Sequence, residues 1–159
     1  MLLGLPLATF TAIHVAISLI GIVTGFIVLF GFLSGRLLKP WNGIFLVFTI
    51  LTSLTGFLFP NSHITPGIIL GILSMIVLIL ALIALYAGHL AGVWKPTYAI
   101  TTMIAQFFNV FVLLVQSFEK VPALHALPAS ALKISQLALL VVFIALIALA
   151  ARRFRSTPI

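Results

Sequence analysis

Residues 97–120 read TYAITTMIAQFFNVFVLLVQSFEK, a run long and apolar enough to cross a bilayer that still carries Tyr98, Thr102, Gln106, Asn109 and Gln116. These positions follow one another at steps of four, four, three and seven, which places them along one face of a helix. The other faces hold Ile100, Ile104, Phe108, Phe111, Val112 and Val115. Lipid offers an amide no hydrogen-bond partner, so the polar stripe must face protein or trapped water. The stretch therefore predicts a helix lining the inside of a membrane bundle, with the other spans arranged around it.

Composition agrees with that reading. A soluble domain covers itself with about a quarter charged residues, whereas this chain of 159 residues is 6% charged and 64% hydrophobic, with a mean hydropathy of +1.41. A soluble globular fold is excluded. The expected fold is all-α, an integral membrane bundle of about five transmembrane helices, at about 20 residues per crossing. The whole chain, 1–159, reads as a single transmembrane domain. Its formal charge of +7 comes from bases in short loops between apolar runs, which is a topology signal and not a nucleic-acid surface. With no cysteine, thiolate catalysis, iron–sulfur clusters and Cys-based zinc sites are excluded. The opening MLLGLPLATFTAIH has no basic flank and runs on past the length of a signal peptide's apolar core, so it reads as a retained first span.

The spans are expected at about 5–33, 41–59, 66–90, 97–118 and 129–151. The first carries Thr11, His14 and Ser18 on one face, continued by Gly21 and Gly25 at a spacing that lets another helix approach closely. The second holds Thr49, Thr52, Ser53 and Thr55, and the third has Gly67, Gly71 and Ser74 as its small face. Tyr86, His89, Trp94 and Lys95 mark an interface after the third. Arg36, Lys39, Lys95, Arg152, Arg153 and Arg155 fall on one side of such a bundle, and only Lys120 and Lys133 on the other. That bias predicts the N-terminus outside and the C-terminus in the cytoplasm.

Topology sorts the histidines. His63 and His125 lie in outer loops, and His14 sits inside the first span, about 10–14 Å below the outer interface at about 1.5 Å per residue. These three share the outer half with Glu119, Gln116 and Asn61, while His89 stands alone on the other side. An ionisable residue within a span is a functional candidate by default, so the candidate ligand-binding residues are His14, Ser18, Gln106, Asn109 and Gln116. In the blander alternative His14 is a neutral imidazole bonded to Gln116 or Asn109, and the amides tie span four to Thr11, Ser18, Thr49 and Thr52. A metal set of His14, His63, His125 and Glu119 is chemically suitable for copper, zinc or iron, although no metal-binding spacing is present. Haem held between two axial histidines would need them at similar depth. His14 and His89 are expected in opposite leaflets.

Hydrolytic catalysis finds no support. Glu119 is the only acidic residue, so no carboxylate pair exists, and no serine has a nucleophile-elbow setting. The leading expectation is a non-enzymatic binding or accessory protein with a polar intramembrane site opening to the outer face. Its partners would be the lipid bilayer and a second copy or larger membrane complex, with no nucleic acid. One alternative is a membrane electron-transfer component holding haem or quinone; another is a small oligomeric pore or transporter, though it lacks an intramembrane acid and an internal repeat.

Two stretches carry a resemblance. Leu51-Thr52-Ser53-Leu54-Thr55-Gly56-Phe57 is one; Asn109-Val110-Phe111-Val112-Leu113-Leu114-Val115-Gln116, followed by Lys120-Val121-Pro122 and Leu124-His125-Ala126-Leu127, is the other. Together they resemble a family of small, uncharacterised bacterial multi-pass inner-membrane proteins. The resemblance implies a bacterial inner-membrane location and brings no catalytic residue.

Overall fold

The computed structural model describes residues 4–60 and 62–157, so Asn61 lies outside the described residues. The described chain forms helices α1 (Leu7–Leu33), α2 (Lys39–Phe57) and α3 (Pro66–Leu82), the last running into a π-helical turn (Ile83–Ala87). After these come α4 (Trp94–Lys120), the short α5 (Pro122–His125) and α6 (Ala129–Ser156). Counting the π-helical turn with α3, five helices of 19 to 28 residues are long and apolar enough to cross a membrane. Their outward faces are apolar, with Phe30 65%, Ile134 67% and Ile76 51% exposed. So large an apolar surface is consistent with a multi-pass membrane protein.

Local chemistry sets the helix ends. Gly35 (φ +71°) closes α1: its N–H donates to Phe32 O at 3.0 Å and the Arg36 N–H to Gly31 O at 2.8 Å, a left-handed cap that glycine adopts without a side-chain clash. Pro40 and Pro66 sit in the first turns of α2 and α3, where the missing N–H is no loss. The Thr65 hydroxyl accepts from the Ile68 N–H and caps α3. Pro96 is tolerated inside the first turn of α4 for the same reason as Pro40, so that helix begins at Trp94, three residues before the apolar run. Likewise α6 continues past Ala151 to Ser156 through Arg152, Arg153 and Arg155, because arginine is a good helix former and suits a C-terminal turn. Pro122 starts a helical turn inside what the sequence reads as a polar loop.

Helix α4 is the hub, packing against each of the four other long helices, though against α2 only thinly. Helices α1 and α2 form a close hairpin, α3 bridges α2 and α4, and α6 closes the far side against α4 and α1. The core is not evenly distributed. Val28, Phe32, Phe45, Leu78, Tyr98, Met103, Ala150 and Phe154 are all buried toward the end where α1 finishes and α4 begins. There Phe32 packs at a tilt on Phe154 with centroids 4.7 Å apart and meets Tyr98 edge-on at 5.8 Å. Toward the Glu119 end the packing loosens: no α4 residue beyond Gln106 is buried. The bundle is closed at its arginine-rich end and open at the other.

Candidate functional site

A polar column runs up α4 from the closed end toward the open one. At its base the Tyr98 hydroxyl donates to Asn42 Oδ1 at 2.8 Å, with both side chains buried. One turn above Thr102, the fully buried Gln106 reaches across to α1, donating from Nε2 to the Ile22 carbonyl at 2.9 Å. Gly25 makes this possible, because a Cβ there would fall within the Gln106 carboxamide. Gln106 Oε1 has no hydrogen-bond partner among the described residues. Next, Asn109 Nδ2 donates to Thr49 Oγ1 at 3.1 Å. At the top, Gln116 Nε2 donates to Glu119 Oε2 at 3.0 Å within its own helix. Tyr98 and Asn109 thus span the thin α2–α4 contact with long side chains instead of close backbones.

His14 lies in the open half on the seam between α1 and α2. Its Nδ1 lies 2.7 Å from Thr55 Oγ1, and Thr55 Oγ1 lies 2.7 Å from the Leu51 carbonyl. A carbonyl can only accept, so the hydroxyl proton points at Leu51 and Nδ1 must be the donor to Thr55. That tautomer leaves Nε2 carrying a lone pair, the arrangement of an imidazole able to accept a proton or coordinate. The ring is held edge-on by Phe59, centroids 5.1 Å apart, and Phe59 packs the same way on Phe10. Ser18 hydrogen-bonds its own helix at the His14 carbonyl, 2.7 Å away.

The candidates named from sequence therefore separate into groups. His14 pairs with Thr55 of α2 and not with an α4 amide, because the α1–α2 hairpin brings those two helices into the closest contact. Gln106 and Asn109 make interhelical bonds, whereas Ser18 and Gln116 bond within their own helices. His63 lies exposed in the loop after α2, 3.1 Å from Ser62 Oγ, and His125 is exposed in α5. Among the described residues no group of three or more His, Asp or Glu side chains is gathered closely enough to hold a metal ion.

At the closed end lies a feature that periodicity does not reveal. A cleft of about 250 Å³ opens between the start of α2 and the π-helical turn, lined by Leu37, Lys39, Asn42, Leu85, Tyr86 and Tyr98. In sequence Lys39 and Tyr86 register only as topology and interface markers. The proline-started α2 beside the Tyr86 segment was the available signal, but nothing in it announced a π-helical turn. No protein-family model, curated protein or solved structure matches this chain.

Proposed function

We propose that this chain is a multi-pass protein of a bacterial inner membrane, N-terminus outside and C-terminus cytoplasmic, that works by binding and not by catalysis. Its ligand or partner enters the open half of the bundle, beside His14 and the upper part of the α4 column. The observation that carries this reading is the packing gradient: the arginine-rich end is sealed by an aromatic core, while α4 beyond Gln106 has no buried residue and still presents Asn109 and Gln116. Each of these amides makes one bond within the bundle, and in a bilayer its remaining hydrogen and its oxygen call for a polar occupant or water. The closed, basic end then faces the cytoplasm, as the distribution of Arg and Lys requires.

The chain lacks cysteine, so single cysteines report access directly. Asn109→Cys and Gln116→Cys should react with a membrane-impermeant maleimide added outside intact cells, and Ala99→Cys, at the sealed end, should not. Protection of Asn109→Cys equal to that of Ala99→Cys, or labelling only from the cytoplasmic side, would refute the proposal.

A second reading, with haem or a metal ion bound through one histidine, is favoured by the His14 tautomer, which leaves Nε2 as the coordinating atom. A visible spectrum and metal analysis of protein purified in mild detergent test it. A Soret band or stoichiometric metal lost in His14→Ala supports that reading, and a colourless, metal-free protein discards it.

A further inference from the structure

The cleft at the closed end has a composition of its own. Its floor is the buried Asn42–Tyr98 pair, bonded at 2.8 Å. Asn42 Nδ2 gives one hydrogen to the Leu38 carbonyl at 3.0 Å and, being an amide, retains a second. Leu37 and Leu85 supply apolar walls, and the exposed Lys39 stands at the rim. An ammonium and an amide lining one cleft with apolar side chains match an anionic head on an apolar stem. No carboxylate side chain competes for Lys39, because Glu119, the chain's only acid, lies at the opposite end of the bundle. The volume, about 250 Å³, is many times the room of about 10–15 Å³ that a single water needs, so the cleft has space for a small polar head.

The wall opposite Lys39 is irregular in a way ordinary helix packing does not require. Leu85 and Tyr86 sit in the π-helical turn, an interruption frequently found at functional sites. The chain leaves it through His89 (φ 47°) and Leu90 (φ 54°), two successive left-handed residues that are not glycine. Each costs about 1–3 kcal/mol unless its surroundings hold it there. They are held: the Leu90 N–H donates to the Ala84 carbonyl at 3.1 Å, the Leu90 side chain is buried, and the Trp94 ring covers Gly88 so closely that a Cβ there would overlap it. The corner is thus held in a costly shape, and the π-helical turn that precedes it gives Leu85 and Tyr86 to the cleft.

We infer that this cleft binds the phosphate-bearing head group of an anionic phospholipid, with Lys39 and Asn42 donating to phosphate oxygens and Leu37 and Leu85 covering the glycerol end. The inference rests on the membrane reading above, which also sets the cleft at the cytoplasmic leaflet, where basic residues meet anionic lipid.

The test uses native mass spectrometry of the whole protein extracted from nanodiscs that mix phosphatidylcholine with phosphatidylglycerol. The wild type should retain one phosphatidylglycerol in preference to phosphatidylcholine. Lys39→Gln, at an exposed position outside the core, should lower that retention about fivefold, the value of a partly exposed ion pair. Arg36→Gln, an exposed cation outside the cleft, should leave it unchanged. Inorganic phosphate at millimolar concentration should not displace the lipid. Equal losses in both variants would overturn the inference in favour of diffuse surface charge, and so would absence of selectivity or displacement by free phosphate. Protein that enters nanodiscs normally yet shows no selectivity would sink the cleft inference alone; protein that fails to enter them would sink the membrane reading.

Discussion

Gly25 and Gln106 offer a prediction whose size follows from the geometry. A methyl group at position 25 would occupy the space of the Gln106 carboxamide, so Gly25→Ala must expel that side chain from a fully buried position. Three terms then contribute. The bond from Gln106 Nε2 to the Ile22 carbonyl, 2.9 Å long, is lost, at about 0.6–2 kcal/mol for an interhelical bond in a membrane protein. Overpacking adds about 1–3 kcal/mol, and alanine's better helix propensity returns up to about 1 kcal/mol. The net expectation is a destabilisation of about 2 kcal/mol. Gln106→Ala is also destabilising, since it removes the same bond and leaves a hole, but in the double variant the new methyl enters that hole. The two substitutions should therefore couple by about 1–3 kcal/mol. Equilibrium unfolding in mixed micelles of a mild detergent and dodecyl sulfate measures all four proteins. Additivity within about 0.5 kcal/mol would show that Gly25 does not make room for Gln106 and would refute the reasoning.

Three other substitutions extend the same logic. Tyr98→Phe leaves Asn42 Oδ1 buried without its donor and should cost about 1–3 kcal/mol in the same unfolding assay; an unchanged midpoint would mean the pair is not formed. His89→Gly relieves a left-handed residue at an exposed position and should raise stability by about 1 kcal/mol; a lower midpoint would argue that the imidazole itself is held. Ser74→Ala removes a buried hydroxyl with no partner among the described residues and should be stabilising by about 1 kcal/mol; a loss of that size would place a bound water or ligand on Ser74 Oγ.

The parts legible in the sequence were those that depend on a helix's own periodicity. The spacing of Tyr98, Gln106 and Asn109 marks one face of α4, and that face does meet α1 and α2. Partners were harder to read, because a face specifies a direction and not a depth. Tyr98 and Asn42 are 56 residues apart, and their meeting depends on the tilt and offset of two parallel helices that share little backbone contact. One reading of the sequence bonds His14 to an α4 amide, whereas its imidazole pairs with Thr55, since the short turn capped by Gly35 sets α1 and α2 side by side. Gln116 continues the spacing of the stripe, yet its nearest partner is Glu119 one turn onward, where the bundle has already loosened. The π-helical turn at Ile83–Ala87 left no mark because it adds a single backbone residue to a run that is apolar throughout.

The central place of α4 has a consequence for assembly. During synthesis α1, α2 and α3 leave the ribosome before it, carrying Asn42, Thr49 and the Ile22 carbonyl with no Tyr98, Asn109 or Gln106 to meet them. For that interval the first three helices are an incomplete bundle whose polar side chains must be met by water or by another protein. A pause in translation before Trp94 would lengthen that exposure, and a chain stalled there would present quality-control proteases with the very groups the finished bundle conceals.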